Sequence, residues 1–418
     1  MRRYFGTDGV RGVVGADLTD GLVERLGRAF GRWGAREVLV GRDTRASGVR
    51  LEEALTRGLV EAGCDVVRAG VLPTPAVALL AGDAHGSVIS ASHNPPEYNG
   101  VKFFAQRGRK LTDEEEEAIE QLLDAPATDG GRVRDEDDAG ERYLALVTSR
   151  FGARLEGLRV VLDCANGALY AIAPAAFRRL DAHVAIIGNN PDGTNINVGC
   201  GATDLSLLRE TVCGGEFDLG IAFDGDGDRV LAVDGAGNDV DGDQIIAVLA
   251  LHLGVDLVAV TQMTNLGFHR LMEQRGIRVL TTDVGDRYVL EALRRERGVL
   301  GGEQSGHILY LEGHPTGDGL VGALLLCRAV VESGGTLAEL GAQMPKLPQA
   351  KTDVAVRSKE IPADLRRRID ELARDGRVVV RPSGTEPVVR VLAEAETEEE
   401  AADLCGRIAA LVSRELGS

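Results

Sequence analysis

Apolar residues along the chain recur in one order: a short apolar strand, a polar turn, an amphipathic helix, a second strand, a loop and a third strand. In the first round, EVLVGRDTR (37–45) leads into a helix with Leu51, Ala54, Leu55, Gly58, Leu59 and Ala62 on one face, then CDVVRAG (64–70) and GSVISAS (86–92). A second round runs through LRVVLDCANGA (158–168), HVAIIGNN (183–190) and FDLGIAFDGDGDRVLAVD (217–234). A third uses DLVAVTQMTNLGF (256–268), IRVLTTDVGDRYV (277–289) and RGVLGGEQSGHILYL (297–311). Strands alternating with helices predict α/β layering.

The three third strands end in SASHNP, DGDGDR and GEQSGH. In open α/β sheets ligands gather beyond strand ends, so three copies can aim three unlike loops at one cleft. From about residue 346 the order breaks into DVAV, a strand VVVRPSGTEPVVRVLAEA and a last helix opened by a capping box from Thr397 to Glu400, which predicts a smaller α+β unit. The expected division is 1–150, 151–245, 246–345 and 346–418. The stretch 125–140 reads as a solvated loop, and the acidic run Asp113–Glu117 as the first turn of a helix.

Composition narrows the class. A chain of 418 residues with 44% hydrophobic content fills several globular cores. Its longest apolar runs, near Ile245–Leu251 and Ala323–Val331, fall short of the ~20 residues of a membrane helix, and MRRYFGTDGV lacks a signal-peptide core. A cytoplasmic protein without a membrane partner is expected. The net charge of −18 argues against nucleic-acid binding, so any anionic ligand must meet a local basic patch. The six cysteines (Cys64, Cys164, Cys200, Cys213, Cys327 and Cys405) form no C-x-x-C pair and read as reduced, packed thiols. Only 5 of the 47 basic residues are Lys, so Lys102 draws notice as a position that keeps a compact ammonium, although chance explains a single lysine as well.

Four segments carry candidate chemistry. Ser92 is a possible nucleophile at a strand end, on a loop stiffened by Pro95 and Pro96. It lacks the Gly-x-Ser-x-Gly setting of a hydrolase, and His93, as its immediate neighbour, is poorly placed to act as its base. Asp224, Asp226 and Asp228 alternate with glycines and offer hard oxygen ligands suited to Mg²⁺. The EF-hand positions for Gly and Glu hold Arg229 and Gly235 instead, and a plain Asp-Gly turn is the other reading. RPSGTEPVVR (381–390) supplies Arg381, Ser383, Gly384, Thr385 and Arg390, which are phosphate-binding parts or else an ordinary turn, and no P-loop follows. GGEQSGH places Glu303, Ser305 and His307 between glycines, which suits a polyol, while a lone His there is equally a structural residue. Arg11, among glycines near the N-terminus, is an anion-contact candidate.

Taken together, these segments resemble the α-D-phosphohexomutase superfamily over nearly the whole chain and in the same order. SASHNP resembles its phosphoserine loop, DGDGDR its metal loop, GEQSGH its sugar loop and RPSGTEP its phosphate loop. The YFGTDGVRG start, Gln304 where glucose and mannose mutases usually carry Met, and VGDRYV (284–289) point to the amino-sugar branch.

The resemblance implies three similar α/β domains with mixed sheets and a TATA-binding-protein-like α+β domain around a central cleft. It implies a Ser92 that carries a phosphoryl group between glucosamine 6-phosphate and glucosamine 1-phosphate through a 1,6-bisphosphate, ahead of UDP-N-acetylglucosamine synthesis. Ser92 and the three aspartates would hold Mg²⁺. His93, Lys102 and Arg11 would assist transfer, and Arg229, Arg287, Glu303, Ser305, His307, Arg381, Ser383, Gly384, Thr385 and Arg390 would bind the phosphosugar. A homodimer is allowed. The alternatives are a mutase for glucose and mannose phosphates, and a phosphosugar-binding regulatory protein without catalysis.

Overall fold

A computed structural model describes residues 3–6, 8–128, 130–373, 376–383 and 387–417. Each round of the hydrophobic pattern builds the same sheet. In the first unit Glu37–Arg42 lies parallel between Asp65–Val71 and His85–Ile89, and Tyr98–Ala105 returns antiparallel beside His85–Ile89. In the second, Arg159–Asp163 lies parallel between His183–Ile187 and Leu219–Phe223, with Val230–Asp234 returning antiparallel. In the third, Leu257–Thr261 lies parallel between Arg278–Thr282 and Leu300–Gly302, with Ile308–Tyr310 returning. SASHNP, DGDGDR and GEQSGH therefore occupy one equivalent place: the turn between the third parallel strand and the returning strand.

The central strands are fully buried runs such as LGIAF and LVAVT, as expected of parallel strands covered on both faces. Two helices that are apolar all round, Gly242–Leu253 and Gly319–Ser333, fill the middle of the molecule. Asp241 caps the first through a reciprocal bond with Gln244, and Asp318 caps the second at Val321 N–H. One continuous core runs from Leu39 through Phe223 and Leu325 to Met344, joining the three α/β units. The fourth unit keeps its own core around Val389, Val391, Leu404 and Ile408.

The acidic run forms the first turn of helix Asp113–Gln121 behind a Thr112 capping box, and Thr397 opens helix Glu398–Leu416 as expected. Two expectations need correction. Residues 125–140 are not all loop: Val133–Asp135 adds a parallel edge strand to Asp65–Val71, and helix Ala139–Phe151 begins inside the stretch. That strand is exposed along its length, so it carries no period-two signal. The strand at 378–395 is a hairpin, Arg377–Pro382 against Val388–Glu394, with Gln349–Ala355 on its other side. A Ser-Gly-Thr-Glu-Pro turn composition interrupts what its flanking valines suggested was continuous.

Cys213 is exposed and the other five cysteines are buried and unpaired. No helix among the described residues is long and apolar enough to cross a membrane.

Candidate active site

Ser92 follows the strand His85–Ile89 and is buried. Its backbone is left-handed, with φ 52°. Its hydroxyl donates to Asp224 Oδ2 at 2.6 Å, bringing the serine loop of the first unit onto the metal loop of the second. His93 Nδ1 lies 3.2 Å from Ser92 Oγ. The view of His93 as too close in sequence to serve Ser92 is therefore corrected: the left-handed turn brings the neighbouring side chains together. Burial, then Arg229 and Arg11, push the imidazole down to about 4, so it is neutral near pH 7.

Asp224, Asp226 and Asp228 are all buried and present ligand atoms within 4.8 Å of one another. Glycines between them are required by packing: a Cβ on Gly225 would meet Ser92 O at 2.6 Å, and one on Gly227, where φ is 76°, would strike Leu169. Asp224 Oδ1 accepts from the Gly227 and Arg229 amides, both at 3.1 Å. Even so, burial and its two neighbouring aspartates hold the Asp224 carboxyl well above the usual carboxylate range. Asp226 Oδ1 and Asp228 Oδ1 are buried without a hydrogen bond. Three crowded carboxylates with two oxygens left over fit a hard divalent cation such as Mg²⁺.

Lys102 enters from the returning strand Tyr98–Ala105 and is almost wholly buried. Its ammonium lies 2.7 Å from Asp226, 2.8 Å from Asp8 and 3.3 Å from Asp228. Burial disfavours this charge, but the three carboxylates outweigh it and hold the group well above the ordinary lysine value. His307 Nε2 is 3.1 Å from Asp228 Oδ1, a close charge contact though off the angle of a hydrogen bond. Its Nδ1 meets Glu303 Oε2 at 3.1 Å, and Glu303 Oε1 accepts from Gly285 N–H. Burial works against His307 too, yet Asp228 prevails and the imidazole is pushed up to about 10. Arg229 pairs in a short β-bridge with His307, which ties the metal loop to the sugar loop.

The remaining predicted residues divide. Arg11 pairs with Asp8, which itself contacts Lys102, so it joins the cluster. Ser305 is exposed at the tip of its loop. Arg287 pairs with Asp113 across the first and third units and with Glu291 on its own helix, and it lines a small cavity with Asp8, Lys102 and Lys110. Arg381 and Arg390 stand opposite each other in the fourth-unit hairpin, where Ser383 N–H bonds to Val388 O. Gly384 and Thr385 lie outside the described residues.

Several partners escaped sequence reasoning. Thr74 donates to Asp226 Oδ2 at 2.6 Å, and Asp8 gathers Lys102, Lys110 and Arg11. The scarcity of lysine was a stronger signal than its use at one position suggested. Lys110 reaches Asp286 behind the cluster, and Lys346 pairs with Asp241 beside the sugar loop. Lys351 reaches Gln304, and Lys359 donates to Ser383 O. All five lysines thus touch the four loops or the residues that support them.

Profiles of the phosphoglucomutase/phosphomannomutase family match the four units in order: alpha/beta/alpha domain I at residues 2–129, domain II at 141–237, domain III at 241–347 and the C-terminal domain at 337–411. The chain belongs to the phosphohexomutase family. Phosphoglucosamine mutase of Thermobifida fusca is 49% identical over 100% of this chain and 99% of its own length, and that of Bacillus subtilis is 44% identical over 100% of both. Among solved structures, a phosphoglucomutase/phosphomannomutase family protein of Burkholderia thailandensis superposes with a TM-score of 0.85 at 24% identity, covering 98% of this chain and 97% of the other. Aspergillus fumigatus N-acetylphosphoglucosamine mutase, solved with GlcNAc-6P and magnesium, gives 0.69 at 21% identity over 100% and 96%. As a phosphohexomutase, the chain is an enzyme, and its three equivalent loops are the repeated plan of that fold.

Proposed function

We propose that this phosphohexomutase is a phosphoglucosamine mutase that interconverts glucosamine 6-phosphate and glucosamine 1-phosphate in the cytoplasm. The full-length likeness to phosphoglucosamine mutases supports the sugar. The observation that carries the reaction type is the Ser92 hydroxyl 2.6 Å from Asp224, inside a ring of buried charges that a phosphoryl group would bridge.

On this reading Ser92 holds a phosphoryl group on Oγ. One sugar hydroxyl attacks phosphorus, the P–Oγ bond breaks, and a sugar 1,6-bisphosphate forms while Ser92 regains a proton. After the bisphosphate reverses, Ser92 Oγ attacks its other phosphate and the 1-phosphate leaves. The serine that attacks in this second half must lose its proton. His93, neutral and 3.2 Å away, is the acceptor, and Asp224 orients the hydroxyl in advance. Lys102 and His307 stay cationic and offset charge on the transferring phosphoryl, a reaction whose transition state asks mainly for position and counter-charge. Mg²⁺ on Asp224, Asp226, Asp228 and a Ser92 phosphoryl oxygen would supply Lewis-acid stabilisation.

Arg11 and Arg229 would steady the same phosphoryl. Glu303, Ser305 and His307 would face the sugar hydroxyls, and Arg381, Ser383, Gly384, Thr385 and Arg390 would grip the phosphate that is not reacting, so remote binding energy serves the transfer. Arg287 would act from the rim between the first and third units.

The test is a turnover assay. Purified protein with Mg²⁺, a trace of sugar 1,6-bisphosphate and glucosamine 6-phosphate should form the 1-phosphate, and intact-mass measurement should find one phosphate that moves off with Ser92→Ala. Full activity in Ser92→Ala rejects the mechanism. A higher kcat/KM for glucose or mannose 6-phosphate than for the amino sugar rejects the substrate.

A further inference from the structure

Phosphoryl transfer asks for the Ser92 side chain, but the most heavily braced part of Ser92 is its backbone. A left-handed serine is disfavoured, and such a residue persists only where its surroundings hold it. What holds Ser92 is its carbonyl. Arg45 Nη2 donates to Ser92 O at 2.9 Å and to Asn94 O at 2.8 Å, while Nη1 donates to Tyr98 O at 3.0 Å and to Pro95 O. Its remaining Nε–H goes to Asp43 Oδ2 at 2.9 Å. A guanidinium that is 2% exposed thus directs four hydrogen bonds into the one loop that carries Ser92.

A second grip comes from another unit. Asn197, itself left-handed with φ 59°, donates from Nδ2 to Ser92 O at 2.9 Å and to Asn94 O at 3.2 Å. The amide side is fixed as well: Ser92 N–H donates to Ser90 Oγ at 2.9 Å, and Ser90 Oγ–H donates to Asp43 Oδ2 at 2.6 Å. Gly225 of the metal loop packs against the same carbonyl. Arg45 of the first unit, and Asn197 and the metal-loop Gly225 of the second, thus meet at one backbone oxygen, that of Ser92 itself.

We infer that Arg45 and Asn197 are positioning residues: together they clamp the Ser92 carbonyl and so aim Oγ at Asp224 and the incoming phosphoryl. The inference rests on the mutase reading for its kinetic consequence, but the clamp itself is a statement about backbone geometry. A misplacement of about 1 Å is enough to cost transfer roughly 100-fold.

Two variants of the full chain test it. Asn197→Asp keeps the size and the tolerance for left-handed backbone while turning a donor into a carboxylate oxygen that faces two carbonyls. Arg45→Lys keeps the charge but loses the fork. Each is assayed with Mg²⁺, bisphosphate and glucosamine 6-phosphate, and the half-buried Asn197→Asp, which answers the question even if Arg45→Lys does not fold, is also crystallised. The expected result is a kcat lower by about 100-fold with KM within about threefold of wild type, and a Ser92 that has left φ near 52°. A wild-type kcat in Asn197→Asp, or a Ser92 still left-handed with its carbonyl in place, overturns the inference. A wild-type chain that does not turn over glucosamine 6-phosphate rejects the functional reading instead, and the Ser92 backbone in the variant crystal still decides whether the clamp exists.

Discussion

Around Ser92 the chain neutralises its own charges. Lys102 sits among Asp8, Asp226 and Asp228, His307 is next to Asp228, and nearly all of these groups are buried on a core shared by three units. On the fourth-unit hairpin the arrangement is the reverse. Arg381 and Arg390 are cross-strand partners of like charge, and Asp353 lies 3.8 Å from Arg390. Burial and the neighbouring Arg390 hold the Arg381 guanidinium below its ordinary value. With Lys351 and Met263 they line a cavity of about 260 Å³. Like charges directly opposite on a hairpin are unfavourable unless something anionic lies between them. The transfer side thus sets cations against carboxylates and leaves two buried carboxylate oxygens for a divalent cation, whereas the gripping side sets two guanidinium groups of like charge opposite each other, an arrangement that a phosphate would favour. A mutase that must hold its sugar in two orientations gains from that division: rigid chemistry on one wall, a permissive anchor on the other.

The division is broken most severely on the transfer side. Asp224→Ala, or removal of divalent metal with EDTA, should lower kcat by at least about 10³-fold, because charge stabilisation supplies most of the catalysis in phosphoryl transfer. Re-addition of Mg²⁺ should restore the chelated enzyme and leave the variant inactive. A chelated enzyme that keeps its rate would remove the metal from the reading.

Next comes Lys102→Arg. The charge is kept, but a planar fork replaces a compact ammonium in a pocket with three carboxylates at 2.7–3.3 Å, so kcat should fall about 100-fold with KM little changed. Steady-state kinetics decides it; a variant within threefold of wild type means that charge alone suffices there, roughly the tolerance of a surface pair.

The gripping side should respond in the other parameter. Arg381→Ala removes a charged hydrogen-bond donor to phosphate, worth about 1.5–3 kcal/mol, or roughly 10- to 100-fold in KM, with a smaller fall in kcat than Lys102→Arg produces. If Arg381→Ala and Lys102→Arg change kcat and KM in the same proportion, the two walls of the cleft do not differ as proposed.

The parts of this contrast that were legible in the sequence are those made by contiguous residues. Glycines beside Asp224 and Asp226 mark a loop because close backbone approach demands them locally. The repeated strand and helix order showed three units for the same reason: burial on one face has a period. What was hidden is what the fold brings together from afar. Thr74 on Asp226, Asp8 on Lys102 and Asn197 on Ser92 join residues about 100 or more positions apart, and neither Thr74 nor Asn197 belongs to a motif, while Asp8 sits in the YFGTDGVRG start without any local sign of its partner. The nearness of His93 to Ser92 Oγ was hidden because it depends on a left-handed serine that composition does not announce. Scarcity against an Arg-rich background drew notice to Lys102 alone, and the places of the other four lysines became visible only through their contacts.

The smallest predicted effect lies where the two regions are joined. Asp243, buried near the start of helix Gly242–Leu253, accepts from Asn265 N–H at 2.8 Å, and Asn265 in turn holds both the N–H and the C=O of Leu347, on the segment that leads into the fourth unit. Burial, then the neighbouring Asp241, push the Asp243 carboxyl up to about 7, with the Asn265 amide pulling the other way. A carboxyl raised on folding binds its proton more tightly in the native state than in the unfolded chain. Its contribution is therefore fully present below about pH 3.9 and is lost as pH rises through about 7, with a slope of at most about 1.4 kcal/mol per pH unit. Asp243→Asn keeps an oxygen for Asn265 N–H and does not titrate, so unfolding followed by circular dichroism from pH 4 to pH 8 should show the variant gaining on wild type as pH rises and exceeding it at pH 8. Parallel profiles for the two chains would mean that Asp243 is charged in the native state. Because the Asn265–Leu347 link is untouched, KM for the phosphosugar should stay at the wild-type value, which separates the stability of the joint from the strength of the grip.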